Sequence, residues 1–319
     1  MATKLSASKV AYLHIEEDQS GQRIDNFLQT YLKNVPKSHV YRILRTGQVR
    51  INGGRIKPTY RLQAGDRLRL PPLQQSTAVP LSPQPILAKN LLAKAILYED
   101  DYLMVINKPA GMAVHGGSGI SFGVIEGLRV LYPQLPHLEL VHRLDRDTSG
   151  CLLITKKRSM LRQLHQLLRE GKIHKHYFAL VQGEWPPQLT QVNLPLQKNI
   201  LQSGERVVRV NIEGKVSQSV FKIEQSFTIA TLLRVQPLTG RTHQIRVHTA
   251  HQGHPIAGDE KYGNETFNQQ MHGYNLHRLF LHATAIEFHL PESNYRLTVQ
   301  TPLPTDLQQV LQQLRSTKE

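Results

Sequence analysis

The stretch His142-Arg143-Leu144-Asp145-Arg146-Asp147-Thr148-Ser149-Gly150 sets a carboxylate between two guanidinium groups, just before a Thr-Ser-Gly turn. Leu140-Val141 precede it and the apolar residues 151–155 follow. The segment therefore reads as strand, tight turn, strand, with Asp145 where the first strand ends. Adjacent arginines favour the carboxylate anion and would draw a polyanion to it. A rigid hairpin also holds such a group firmly enough to aim it. Three further segments could share the site. Lys175-His176-Tyr177-Phe178-Ala179-Leu180 opens a strand and offers a phenol with a ring face. Thr239-Gly240-Arg241-Thr242-His243-Gln244-Ile245-Arg246-Val247-His248 is a turn running into a helix begun by Thr242. Free backbone N–H groups and two cations there suit an anion. Residues 107–111 and 114–119 form a glycine-rich stretch that lets backbone approach a ligand closely.

An aspartate anion at a basic site can attack carbon on a nucleotide or stabilise oxocarbenium character at the sugar, as glycosidase carboxylates do. Tyr177 could stack on a base taken out of its helix, a contact worth roughly 1–3 kcal/mol. Arg143, two residues from Asp145 and so on the same strand face, could fill the vacated space or hold the phosphate. Arg246 could pair with Asp145 and orient it. Plainer roles compete: Tyr177 as core, Asp145 as the anchor of a structural ion pair. No metal site is expected, because the histidines (174, 176, 243, 248, 251, 254) include no His-Glu-x-x-His and have no carboxylate at ligand spacing. Histidines in such a basic run rather hydrogen-bond phosphates or backbone. The glycine stretch matches neither the Walker nor the dinucleotide spacing, and Gly-x-Ser-x-Gly is absent.

Elements must position these groups. At 319 residues the chain can hold one large domain or two ordinary ones. The formal net charge is +15, from 39 Lys and Arg against 24 Asp and Glu, which points to a polyanionic partner, nucleic acid before a membrane surface. No apolar run approaches the roughly 20 residues of a spanning helix. The start lacks a signal-peptide core, and Cys151 is the only cysteine, so the cytosol is expected. With no coiled-coil seam in view, a monomer is the default.

A small basic unit is expected over residues 14–72, after a frayed polar start at 1–13. Ile24, Phe27, Leu28 and Tyr31 fit one helix face and Val40, Ile43 and Leu44 a second, with Ser38 as its cap and Gly47 as its stop. Strands at 49–52 and 67–70 follow. Between Lys37 and Arg69 nine basic residues, among them Arg42, Arg45, Arg50, Arg55 and Lys57, face one acid, Asp66. That imbalance over 33 residues predicts a nucleic-acid-binding face. Residues 73–94 form a linker, proline-rich over 73–90. A domain over 95–319 follows, with strands near 96–98, 103–106, 151–155, 177–182, 207–211, 220–224, 228–235, 280–288 and 295–299. Helices are expected at 159–170, 243–252 and 306–315. Such an order predicts an α+β domain around a mixed, largely antiparallel sheet.

These motifs, in this order, resemble the RluA family of pseudouridine synthases. Residues 142–145 with Thr148-Ser149-Gly150 are similar to its catalytic signature, Lys175-x-Tyr177-x-Ala179 to its tyrosine motif, residues 240–246 to its arginine motif and Asn107-Lys108-Pro109-Ala110-Gly111 to its opening segment. The first unit resembles the αL RNA-binding module shared with a small-subunit ribosomal protein. Residues 114–119 and 122–129 look most like the RluC branch, which modifies large-subunit ribosomal RNA. The run 258–277 is less diagnostic. The resemblance implies that uracil is detached at N1, turned, and rejoined through C5, without metal or cofactor. Asp145 would be the catalytic carboxylate, by C1′ attack or by C2′ deprotonation. Tyr177 would stack on the flipped uracil and help remove the C5 proton. Arg246 would pair with Asp145 over an apolar floor at Ile245, and Arg143 would intercalate behind the extruded nucleotide. Arg241 and His243 would contact RNA. Ribosomal RNA or an assembling large subunit would be the partner. The alternatives are a noncatalytic RNA-binding or ribosome-assembly factor and a base-excising glycosylase, which would release free uracil.

Overall fold

The computed structural model describes residues 10–32, 35, 37–72, 91–116, 122–135, 137–200 and 206–316. The expected linker over 73–90 and the glycines at 117 and 119 lie outside the described residues. The chain divides into two compact units, Met1–Ser82 and Pro83–Glu319.

The first unit runs β1 (Ala11–His14), α1 (Ile24–Tyr31), α2 (Lys37–Arg45), β2 (Arg50–Ile51), β3 (Gly54–Arg55) and β4 (Arg67–Leu70). Its sheet has the order β1-β4-β2-β3. Ile24, Phe27 and Leu28 from α1 and Val40, Ile43 and Leu44 from α2 pack on Ile51, Leu68 and Leu70, as a 3.6-residue period dictates. Gly47, at φ +69°, ends α2, whereas Ser38 lies inside the helix and does not precede it as a cap. The start is not frayed up to residue 13: Ala11–His14 pairs antiparallel with Arg67–Leu70, whose edge would otherwise be open. Buried Asp25 is held by a fork from Arg23 at 3.1 and 2.6 Å and by the Tyr41 hydroxyl at 2.9 Å. Arg42, Arg45, Arg50, Arg55 and Lys57 are all exposed.

The second unit begins with β5 (Ile96–Glu99), β6 (Leu103–Lys108), α3 (Val124–Leu131), β7 (Glu139–Leu140), β8 (Ser149–Thr155), α4 (Arg158–Arg169) and β9 (Ile173–Gln182). It continues with β10 (Gln191–Asn193), β11 (Leu196–Ile200), β12 (Arg206–Val210), β13 (Gln218–Ser226), β14 (Ala230–Pro237), α5 (Gln244–His251) and α6 (Glu265–His272). The last elements are β15 (Leu281–Leu290), β16 (Tyr295–Gln300) and α7 (Thr305–Ser316). Leu92 is fully buried against this unit, so its packing starts before residue 95.

Ten strands form one sheet in the order β10-β13-β14-β9-β15-β8-β6-β5, with β16 on β15 and β7 on β8. Among the described residues only β8 and β15 pair in parallel. Alternate residues point to opposite faces, and both faces are covered. Met104, Ile106, Leu152 and Ile154 pack into one cluster, with Val124 and Leu128 of α3 and Leu307 and Leu311 of α7. Leu103, Val105, Cys151 and Leu153 pack into the other, with Met160, Leu164 and Leu167 of α4. Two-sided burial is why 151–154 read as an unbroken apolar run.

The segment around Asp145 departs from the expected tight hairpin. β7 pairs with β8 through Glu139↔Thr155 and Leu140↔Ile154, with one more bond from the Val141 N–H to the Leu153 carbonyl at 3.0 Å, and then leaves the sheet. Further along the same edge of β8, β15 takes Ser149 and Gly150, and β6 takes the opposite edge. Residues 142–148 therefore have no strand to continue on, and they form a loop closed by Thr148 N–H donating to the Asp145 carbonyl at 3.2 Å. Arg143 and Asp145 accordingly share no strand face.

Gly150 makes the crossover from that loop into the sheet possible. Its φ is +109°, and a Cβ there would sit 2.1 Å from the Ala283 carbonyl oxygen. Gly150→Ala is expected to lower stability by roughly 3–5 kcal/mol through strain and overlap together. Urea denaturation checks this; an unchanged midpoint would mean that β15 can retreat.

Candidate active site

Asp145, Tyr177, Arg246, Arg143, Ile245, Arg241 and His243, drawn from three distant segments, line one cleft of about 700 Å³. A second cavity of about 650 Å³ shares Arg143, Leu144, Asp145, His243 and Arg246 with it, so Asp145 stands on the ridge between the two. The remaining residues expected to meet RNA, Arg42, Arg45, Arg50, Arg55 and Lys57, belong to the first unit.

Arg246 sits in the first turn of α5. Its Nε and Nη2 donate to the two carboxylate oxygens of Asp259, both at 2.7 Å, and Nη1 reaches Asp145 Oδ2 at 3.4 Å. Its firmest partner is thus Asp259 and not Asp145. Burial alone would lower the Arg246 guanidinium, but Asp259 and then Asp145 outweigh it and hold it above its ordinary value. Asp259 is fully enclosed. Burial would raise its carboxyl, yet the Arg246 fork and the Tyr262 and Lys261 N–H groups hold it below the usual range.

His243 closes the other side of Asp145, with Nε2 3.9 Å from Oδ1. Its Nδ1 meets the Tyr262 hydroxyl at 2.8 Å, and that hydroxyl accepts the Val208 N–H at 2.9 Å. The Tyr262 proton is then directed at Nδ1, which assigns the ring proton to Nε2, facing Asp145. Burial lowers His243 despite the neighbouring Asp145, so the ring stays neutral. The Tyr262 ring also lies under the Arg246 guanidinium, 5.1 Å from its centroid.

Backbone orientation comes from Lys108, which is fully buried. Its Nζ donates to the carbonyls of Pro109 and Met112 at 2.8 Å and of Arg146 at 2.9 Å. Burial lowers Lys108 to about 7, against the opposing pull of Asp147 and Asp145. The residue after Asp145 is therefore pinned from beneath. His142 accepts the Leu153 N–H at 3.2 Å through Nε2, and burial, with Lys175 adding, lowers it to about 3.

Tyr177 sits in β9 between β14 and β15, opposite Val235 and Ala283. It is buried in the same apolar cluster as Leu144, Ile245 and Leu281, yet its side chain also lines the cleft. It serves the core and the cleft wall at once. Burial, then Asp145, push its phenol up, so it keeps its proton. That suits a stacking surface better than a proton acceptor. Ile245 is buried and Arg143 is exposed at the rim. Arg241 Nε donates to the Val216 carbonyl at 3.0 Å.

The turn before α5 differs from expectation. Thr242 does not cap the helix. His243 is the N-cap, in the left-handed region at φ +52°, with no side-chain capping bond. Gln244 performs the local tying instead: its Oε1 accepts from Thr239 Oγ1 at 2.7 Å and Arg241 N at 3.0 Å, and its Nε2 donates to the Gln218 carbonyl at 2.8 Å. One of the N–H groups expected to be open to an anion is thus already used. His248 and His254 bond hydroxyls and backbone carbonyls, as expected of that run.

Sequence reasoning missed Asp259, Tyr262 and Lys108. The first two fall in the run 258–277 that looked undiagnostic. A signal was present in Gly258-Asp259-Glu260-Lys261-Tyr262-Gly263. A Cβ on Gly258 would lie 2.0 Å from the Arg278 carbonyl oxygen, and one on Gly263 1.9 Å from that of Asp259. Two obligatory glycines bracketing an acid mark a tightly folded turn.

Asp259→Asn keeps the shape and removes the charge that holds Arg246. It is expected to cost about 3–5 kcal/mol, as breaking a buried ion pair does. The folded-state carboxyl lies below its ordinary 3.8, so the unfolded chain binds the proton first. The stabilisation is whole above pH 3.8 and is lost as pH falls through the lower folded value. Urea midpoints across the acid range check this: the wild type should lose stability there more steeply than the variant.

Comparison with known proteins agrees with this geometry. The RNA pseudouridylate synthase family model matches residues 102–251, and the S4 domain model matches residues 22–68. Ribosomal large subunit pseudouridine synthase C of Salmonella typhimurium is 55% identical, over 99% of this chain and 100% of that one. The protein of the same name from Escherichia coli K12 is 54% identical over the same shares. The solved structure of human RNA pseudouridylate synthase domain containing 4 is 27% identical, with a TM-score of 0.59 over 73% of this chain and 97% of that one. An S4 unit thus precedes a catalytic α+β unit, and the chain belongs to the RluA-type family of RNA pseudouridine synthases, isomerases that act on uridine in RNA.

Proposed function

We propose that the protein converts specific uridines of large-subunit (23S) ribosomal RNA to pseudouridine, with Asp145 as the catalytic carboxylate. The observation that carries this is the convergence of Asp145, Tyr177 and Arg246 on one cleft. The relatives, ribosomal large subunit pseudouridine synthases by name, point to the RNA. The N1–C1′ bond breaks, uracil turns, and a C5–C1′ bond forms. One proton leaves C5 and one joins N1, so atoms balance within the nucleoside and no cofactor is needed.

Asp145 acts at the ribose, where a fixed carboxylate stabilises positive character at C1′ or attacks it. Arg246 and His243 hold that carboxylate from two sides. Tyr177 stacks on the extruded base over the Ile245 floor, and exposed Arg143 fills the gap the base leaves. Arg241 meets the strand at the rim. In the S4 unit, Arg42, Arg45, Arg50, Arg55 and Lys57 take backbone phosphates. The protein works in the cytoplasm as a monomer; among the described residues no helix is long and apolar enough to cross a membrane.

Asp145→Asn should lower pseudouridine formation on large-subunit RNA roughly 10³-fold or more while RNA binding persists. Sustained modification by that variant would remove Asp145 from the chemistry, and free uracil among the wild-type products would mark a glycosylase. Deleting Met1–Ser82 should weaken binding and flatten its salt dependence, because phosphate contacts set both. Filter binding across a salt series reads that slope, and an unaltered slope would dismiss the S4 unit as the phosphate reader.

A further inference from the structure

Lys175 has no part in the chemistry above. It lies on β9 two residues before Tyr177, and residues i and i+2 of a strand share a face, about 7 Å apart. Both line the cleft. The ammonium lies beside the turn before α5, where a Cβ on Gly240 would sit 3.9 Å from Nζ. Among the described residues it has neither an ion-pair partner nor a hydrogen bond. Among the described residues two carboxylates line the cleft, and neither pairs with Lys175. Asp145 faces Arg246 at 3.4 Å, and Glu170 is bound to Lys172 at 2.7 Å and to Gln166 at 2.9 Å. Burial lowers Lys175 below its ordinary value, with no neighbouring charge opposing the shift. The nearby His142 is neutral and offers no anion.

A partly desolvated cation without an anion weakens the free protein. Three cations near Asp145 are matched, Arg246 by two carboxylates, Arg146 by Asp147 at 3.1 Å and Lys108 by three carbonyls, while Arg143 at the rim is exposed to solvent. We infer that Lys175 is a substrate-binding residue whose ammonium pairs with a backbone phosphate of the target nucleotide while its uracil lies against Tyr177. The spacing suits this. A stacked base places its sugar-phosphate one strand step or two along β9, and Lys175 is the cation at that distance. This rests on RNA being the substrate, as proposed above.

The test compares full-length wild type, Lys175→Met and Lys175→Arg, binding a large-subunit ribosomal RNA transcript over a KCl series. Loss of one charge-assisted contact predicts about tenfold weaker binding by Lys175→Met. Its log–log salt slope should be shallower by about one. The free Lys175→Met protein should also melt roughly 2–4 °C higher, because an unmatched charge has been removed. Lys175→Arg should keep the wild-type slope. Unchanged affinity and slope in Lys175→Met overturn the assignment. So does weaker binding at an unchanged slope, which would place the contact on an uncharged oxygen such as a uracil carbonyl. A lower melting temperature in Lys175→Met that Lys175→Arg restores assigns the residue a structural role and likewise overturns it. Pseudouridine formation by the wild type is scored separately, so failure of the proposed activity is distinguishable from failure of the phosphate contact.

Discussion

One buried guanidinium sets the geometry of the site. Arg246 is held by a two-point fork to Asp259 at 2.7 Å, and its remaining nitrogen, Nη1, reaches Asp145 at 3.4 Å. The fork fixes the plane of the guanidinium, and that plane fixes where the third donor can point. The position of Asp145 is therefore referred to Asp259, more than a hundred residues away in sequence. Asp259 is fixed in turn by the N–H groups of Lys261 and Tyr262 and by the close approach of Gly258 to the Arg278 carbonyl. Tyr262 returns to the same place, under Arg246 and against His243. A tight glycine turn and the first turn of one helix together form a rigid bracket behind a loop residue.

The loop itself needs a separate constraint, because the sheet does not supply one. β15 occupies the edge of β8 that a hairpin partner would use, so residues 142–148 have no ladder of their own. Lys108 replaces that ladder from below, its ammonium donating to three carbonyls, including that of Arg146. Hydrogen bonds from charged donors contribute roughly 1.5–3 kcal/mol each, which is enough to hold a loop as firmly as a strand. The low value of Lys108, about 7, reflects how little water reaches it. A lysine that gathers three carbonyls at 2.8–2.9 Å uses all three of its protons, a geometry made for the ammonium form.

Much of this was legible in the sequence wherever a short-range rule applied. The apolar runs at 103–106 and 151–155 appear as β6 and β8 because two-sided burial leaves no polar alternation to misread. The two helices of the first unit follow a clean 3.6-residue pattern. Asp145, Tyr177 and Arg246 stood out because each lies in a motif with an odd local charge or glycine pattern. What escaped was non-local. Nothing near residue 145 announces that β15 will fill the adjacent edge, so the tight hairpin was the wrong inference. Thr242 looked like a cap by type, but the side chain of Gln244 does the tying, and glutamine in a helix carries no such signal. In the sequence Lys108 reads only as part of a glycine-rich stretch, and nothing local shows that three carbonyls close around it. Asp259 sat in a stretch judged undiagnostic because its partner is a helix residue thirteen positions earlier.

The way carboxylate oxygens are filled sets Asp145 apart from the buried structural carboxylates. Asp25 accepts from Arg23 twice, from Tyr41 and from the Asn26 N–H. Asp66 takes Asn52, Tyr60 and the Gln63 N–H. Asp100 takes two N–H groups and two tyrosine hydroxyls. Asp259 accepts four. Each has the saturated pattern of a group whose work is to hold other groups still. Asp145 stands apart, with one long contact at 3.4 Å, a neutral histidine at 3.9 Å, and a side chain 17% exposed against 1% for Asp259. Held in direction with one edge open to the cleft, this carboxylate has lone pairs that a bound molecule can reach. Lys175 is the cationic counterpart, lacking an acceptor as Asp145 lacks donors. Asp145 and Lys175 line one cleft with the Tyr177 ring two residues beyond the lysine, the charges and face that the proposed nucleotide would meet.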